Sequence, residues 1–172
     1  MNDVLERWND ASFEAAAAQI LPCCGSKAWA LEMAARRPFR DEVALMVASG
    51  EVWLNLNESD WIEAFRSHPR IGESSALNFS AQQSSSSAWA TQEQKEVATA
   101  GDAVKISLAE GNREYERKFG RIFIVCATGK SAAELLKLLE RRLHNDAETE
   151  LREAAEQQWQ ITQIRLTKWI QG

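Results

Sequence analysis

Apolar residues recur at helical spacing along most of the chain, and proline and glycine punctuate the repeats. Phe13, Ala16, Ala17 and Ile20 share one helical face behind Ser12, a good N-cap. This predicts a helix over Ser12–Leu21, ended by Pro22 and followed by Gly25. Trp29, Leu31, Met33 and Ala34 predict a second over Ser26–Arg36, broken by Pro38. Val43, Leu45, Met46 and Val47 predict a third over Arg40–Asn55, with Gly50 inside it or splitting it. A fourth is expected over Glu58–Ser67, opened by Asn57 or Ser59 and closed by Pro69.

The periodicity lapses between Ile71 and Ala88. The consecutive serines Ser84 to Ser87 mark a flexible, solvated loop over about residues 72–88. Structureless stretches of that length are usually functional or disordered. Helical pattern resumes over Trp89–Glu110. On a wheel of about 100° per residue, Trp89, Val97, Ala100, Val104 and Leu108 share an arc, and Glu93 falls at its centre. A carboxylate at the centre of an apolar face is costly to bury without a partner. Asn112–Lys118 reads as a short helix.

Ile122-Phe123-Ile124-Val125-Cys126-Ala127 is strand-like by propensity. With no other convincing strand to pair with, it is expected as an extended buried segment near 121–127. Ser131 and Glu134 make a capping box for a helix over Ser131–Leu143. Asn145 or Asp146 then opens a last helix reaching about Ile170. On that helix Leu151, Ala155, Thr162, Leu166 and Trp169 share an arc. Arg165 lies about 40° off its centre line, while Arg152 points away. The fold class is all-α: a compact bundle of about eight helices with one extended segment, in a single domain over residues 1–172.

Composition removes several function classes. The net charge of −5 lacks the basic excess of a nucleic-acid binder and gives no attraction to an anionic membrane. There is no apolar run long enough to span a bilayer, and the acidic, polar start does not read as a signal peptide. The Trp169-Ile170-Gln171-Gly172 end is not a peroxisomal address. Three cysteines, two of them adjacent at Cys23 and Cys24, do not make a disulfide framework, so a reduced, cytoplasmic protein is expected. Most of the seven tryptophans should be core or interface anchors.

Candidate chemistry is sparse. Gly129-Lys130-Ser131 lacks the earlier glycine of a phosphate-binding loop, because Ile124 occupies that position; capping explains it better. His68 and His144 have no ligand-like spacing and the cysteines no CxxC pairing, so no metal site is expected. His144 reads as a solvated helix end, and Cys126 as inert packing. His68 is different. Pro69 disfavours helix at the residue before it, so His68 should sit on a stiff helix-to-loop corner. There it is a capping or core histidine, or a group for proton chemistry near neutral pH. Glu93 and Arg165 are charges aimed inward. With His68 they make either a structural ion pair near a histidine, or a site with an acid/base, an orienting carboxylate and an oxyanion-holding fork.

The order of motifs adds a resemblance. Reading along the chain, these are His68-Pro69-Arg70-Ile71-Gly72, Glu93-Gln94, Phe123 to Ser131, Asn145-Asp146, Glu148 to Arg152, Ile161-Thr162 and Arg165-Leu166. Over most of its length the sequence resembles the 2-oxo-4-hydroxy-4-carboxy-5-ureidoimidazoline (OHCU) decarboxylases in their bacterial single-domain form. That resemblance implies an all-helical, cofactor-free enzyme, usually a homodimer, that forms (S)-allantoin from its substrate by stereospecific loss of carbon dioxide. It also implies His68, Glu93 and Arg165 as catalytic residues. Pro69, Gln94, Phe123, Ile124, Val125, Cys126 and Ala127 would bind the substrate. The family often has serine three residues before the glutamate; here it is Ala90, and the Ser84–Ser87 stretch is longer and more polar than expected. The reading from another class is a non-catalytic helical interaction module, with His68-Pro69 as a structural corner.

Overall fold

Most helix starts fall where short polar side chains take up the first free N–H groups. A computed structural model describes residues 2–71, 89, 92 and 101–172. Among the described residues there are eight helices and no strand, which is the expected all-α class. They are α1 (Asp3–Asp10), α2 (Phe13–Cys24), α3 (Lys27–Ala35), α4 (Glu42–Leu54), α5 (Glu58–Arg66), α6 (Asp102–Phe119), α7 (Ala132–Arg142) and α8 (Ala147–Gln171). Ser12, Ser26, Asp41 and Ser131 cap α2, α3, α4 and α7 through their side chains, and Ser131 and Glu134 form the full capping box. Asp146 accepts from the Thr149 N–H at 2.8 Å to open α8. The serine-rich stretch at 72–88, Glu93 and Gln94 lie outside the described residues.

Three expectations need correction. First, Pro22 does not end α2. The helix runs on to Cys24, and Gly25, left-handed at φ 90°, closes it with a 2.7 Å N–H bond to the Leu21 carbonyl. Proline lacks one backbone donor. Carrying the helix past it buries Cys23 and Cys24 completely. Second, α1 was not anticipated, because Leu5 and Trp8 are its only buried residues; Asn2 caps it at Val4 and Leu5. Third, no break falls at Gly111 and no helix runs through Gly101. Gly101 is the extended N-cap of α6, which continues to Phe119. Glycine weakens a helix, but a Cβ on Gly111 would lie 2.6 Å from Leu139 Cδ2, so its absence lets α7 come close. Because a new helix starts at Asp102, Val104 and Leu108 do not share one helical phase with Trp89. They therefore drop out of the arc drawn through Trp89, whose other members Glu93, Val97 and Ala100 lie outside the described residues.

The chain forms two compact units. The first is Met1–Ala64 with Gln158–Gly172, and the second is Phe65–Gln157. In the first, Trp8 stacks on Phe39 at 5.9 Å and meets Trp169 edge-on at 5.5 Å. The indole N–H groups of Trp8 and Trp29 donate to the Ala16 and Ser49 carbonyls at 2.9 and 3.2 Å. These tryptophans are core anchors whose single polar atom is satisfied. Gly50 serves the same unit: a Cβ there would lie 3.0 Å from the Trp159 ring.

The second unit packs Ile71, Leu108, Tyr115, Phe123, Val125, Leu135 and Leu139 into one core. Residues 122–127 are neither helix nor strand, and Phe123 to Ala127 are all buried. This is the expected buried segment. It enters after Gly120, left-handed at φ 68°, which closes α6.

Candidate functional site

His68 stands just beyond the end of α5. Its N–H turns back to the Phe65 carbonyl at 3.2 Å, so the chain leaves the helix in a tight turn, as the following proline requires. The side chain is half-buried and Pro69 is exposed. The next two residues are pinned to α6. Arg70 forms a two-pronged pair with Glu116, one arm measuring 2.9 Å, and the Arg70 guanidinium holds the Glu116 carboxyl below the usual carboxylate range. The Ile71 carbonyl accepts from the buried Asn112 amide at 2.8 Å. Asn112 and Glu116 are one helical turn apart, so a single face of α6 holds the stretch that carries the histidine.

The buried segment solves a different problem. Without a strand neighbour its backbone polar groups need partners, because leaving them unmade is costly. Side chains supply them. Arg142 donates to the Ile124 carbonyl at 2.7 Å, Gln157 Oε1 accepts from the Cys126 N–H at 3.0 Å, and Lys130 donates to the Cys126 carbonyl at 2.7 Å. The Cys126 N–H is thereby committed, which narrows the backbone donors that this segment can turn towards a ligand.

Arg142 and Glu150 are both buried, 1% and 0% exposed in their side chains. The guanidinium reaches the same carboxylate oxygen through Nε at 2.9 Å and Nη2 at 2.5 Å. Tyr115 Oη also donates to Glu150, and Asn145 donates at 2.8 Å. The Arg142 guanidinium lies 4.6 Å over the Phe123 ring. Burial, with the Glu150 carboxylate beside it, pushes the Tyr115 hydroxyl up, against the pull of Arg142, so the phenol stays a donor. Sequence reasoning missed this network although a signal existed. Arg142 sits about 20° from Leu135 on the α7 wheel, as Glu150 does from Ile161 on α8.

In the first unit Arg165 is wholly buried, as its place on the α8 arc predicts, and Arg152 is exposed. Its charge favours thiolate at Cys23 and Cys24, but burial outweighs it: both thiols are pushed up, Cys24 to about 12. These cysteines are inert packing at neutral pH. Thr162 and Gln158, also buried, bond each other at 3.2 Å one turn before Arg165, and Gln158 donates to the Cys24 carbonyl at 3.2 Å. His144 is exposed, with Nδ1 2.9 Å from the Glu140 carbonyl, the solvated helix end expected of it. No helix among the described residues is long and apolar enough to cross a membrane.

His68 thus belongs to the second unit and Arg165 to the first, with Glu93 and Gln94 outside the described residues. The structure brings together Phe123 to Ala127 with Arg142, Lys130 and Gln157, and it fixes the backbone around His68.

Comparison with known proteins covers nearly the whole chain. The family model described as OHCU decarboxylase matches residues 9–167. The uric acid degradation bifunctional protein TTL of Arabidopsis thaliana is 36% identical over 147 residues, 85% of this chain. The chain spans only 44% of that relative's length. The 2-oxo-4-hydroxy-4-carboxy-5-ureidoimidazoline decarboxylase of Amia calva is 30% identical over 135 residues, 78% of this chain and 75% of that protein. A crystal structure of OHCU decarboxylase in the presence of (S)-allantoin superposes with a TM-score of 0.74 at 33% identity. It covers 88% of this chain and 96% of that one.

Proposed function

The chain belongs to the OHCU decarboxylase family, and from that membership we propose that it converts 2-oxo-4-hydroxy-4-carboxy-5-ureidoimidazoline to (S)-allantoin with loss of carbon dioxide. The observation that carries the reading is the match over residues 9–167, because it spans His68, Glu93, the 123–127 segment and Arg165 together. That a related structure was obtained with (S)-allantoin supports the choice of product.

The chemistry suits these groups. The substrate carries its carboxylate on a carbon that also bears a hydroxyl, beside a conjugated ring. When the bond to carbon dioxide breaks, the ring accepts the electron pair, so the reaction needs no metal or organic electron sink. What remains is to hold the developing oxyanion and deliver one proton to one face. Donors already aimed at the charge do the first most effectively. In this reading Arg165 binds a substrate oxyanion through its fork, and its full burial strengthens that attraction. Glu93 orients the hydroxyl and takes its proton, with Gln94 beside it. His68 is the principal acid/base, on a corner stiffened by Pro69 and by the anchors on α6. Backbone groups of Phe123 to Ala127 contact the ring.

The working protein is a cytoplasmic homodimer in this reading. The test follows circular dichroism while urate is oxidised and hydrolysed in the presence of the protein. Rapid appearance of optically active allantoin is expected. Slow, racemic product equal to the uncatalysed control would overturn the reading and favour a helical interaction module.

A further inference from the structure

We propose that Arg142 is a positioning residue for substrate binding: clamped by Glu150 and Tyr115, it sets the orientation of the Phe123–Ala127 backbone. The proposal rests on the reading above that this segment lines the substrate site.

The argument starts from the peptide plane. A carbonyl and the N–H of the following residue share one rigid plane and, in a trans peptide, point in opposite directions. The one cis peptide among the described residues is Arg37–Pro38, so the segment is trans throughout. Arg142 holds the Ile124 carbonyl and so orients the Val125 N–H. Gln157 holds the Cys126 N–H and so orients the Val125 carbonyl. Lys130 holds the Cys126 carbonyl and so orients the Ala127 N–H. Three consecutive planes are thus gripped by side chains. Their other edges present two donors, Val125 N–H and Ala127 N–H, flanking one acceptor, the Val125 carbonyl. That pattern suits a flat ring with adjacent carbonyl and N–H groups.

Of these grips Arg142 is the most constrained. Lys130 and Gln157 are half-buried, whereas Arg142 is 1% exposed. Its guanidinium bonds Glu150 through Nε and Nη2, Ile124 through Nη1, and covers the Phe123 ring, so one planar group fixes two neighbouring residues. Glu150 cannot swing away, because Tyr115 and Asn145 hold it as well. Burying two charges is not an efficient way to gain stability; well-packed apolar side chains of similar volume often do as well or better. A rigid fork reaching a carboxylate and a backbone carbonyl at once is something only arginine provides. The arrangement therefore points to geometry, not to net stability, as what this buried pair supplies.

The test uses the whole protein and Arg142→Lys, which keeps the charge and loses the fork. Amide exchange over 123–127 should speed up at least roughly tenfold, the scale of losing one hydrogen bond to a charged group. Exchange in α2 and α3, in the other unit, should not change. With freshly generated substrate, kcat/KM should fall by at least about the same factor, mainly through KM. Unchanged exchange overturns the proposal. Faster exchange with an unchanged KM overturns the link between this grip and substrate binding. Should Arg142→Lys not fold, Tyr115→Phe loosens the clamp while leaving the arginine, and carries both readouts with smaller shifts in the same directions. Failure of the decarboxylase reading is visible separately, in wild-type protein that forms no allantoin; the exchange measurement still decides whether Arg142 holds the segment.

Discussion

Removing the Glu150 carboxylate is the sharpest test of how the second unit is held. In Glu150→Ala the Arg142 guanidinium keeps the Ile124 carbonyl at 2.7 Å, but its remaining carboxylate neighbour is Glu153 at 3.9 Å. The Tyr115 hydroxyl and the Asn145 amide each lose the acceptor that Glu150 provides. Breaking a buried ion pair from one side typically costs about 3–5 kcal/mol, because the surviving charge stays desolvated. Against a total stability of roughly 5–15 kcal/mol for a domain, that is a large fraction. For a chain of this length it corresponds to a fall in Tm of roughly 6–20 °C. Thermal and denaturant melts of Glu150→Ala, Arg142→Met and the double variant provide the measurement. The double variant should be more stable than the sum of the single losses implies, since it removes the uncompensated charge. A single loss below about 1 kcal/mol, or strict additivity, would refute the reasoning that these groups form one coupled buried unit.

Other outcomes follow from the same structure. The Glu116 carboxyl is held low by Arg70, so its contribution is present above the ordinary glutamate value and is lost as pH falls through its depressed folded value. Glu116→Gln should therefore flatten the loss of stability below about pH 4, and melts with the same acid slope as wild type would count against it. Gly111→Ala gains helix propensity but drives a methyl to within 2.6 Å of Leu139 Cδ2, in a residue that is fully buried. Overpacking typically costs about 1–3 kcal/mol, so Tm should drop; a rise would show that the α6–α7 approach tolerates a methyl. His68→Asn should slow allantoin formation at least about a hundredfold, the usual scale for a general acid/base, with near-normal turnover ruling out that role. Arg165→Lys should raise the apparent KM, since lysine cannot reproduce the fork; an unchanged KM removes it from substrate binding.

Local chemistry determined much of the architecture. Ser12, Ser26, Asp41 and Ser131 mark helix starts because a cap acts within three residues of itself. The segment at 123–127 was legible because a β-prone run with nothing to pair with must be buried some other way. The inward arginine at 165 was legible because α8 is uninterrupted, so helical phase holds along it. The same method reached too far where it counted Val104 and Leu108 in one phase with Trp89. Gly101 starts a new helix and resets the phase, while Gly111, which looked like a break, is a contact point with Leu139.

Tertiary structure alone decided which distant side chains meet the backbone. Nothing near Ile124 or Cys126 in sequence announces Arg142 or Gln157 as a partner, because a hydrogen bond across 18 or 31 residues depends on how α7 and α8 return to the segment. Nor does local sequence announce that Arg70 and Ile71 are tied to two positions of α6. Residue types and phases along each helix are written locally. The grip on the segment is made by groups far apart in the chain, and only packing brings those together.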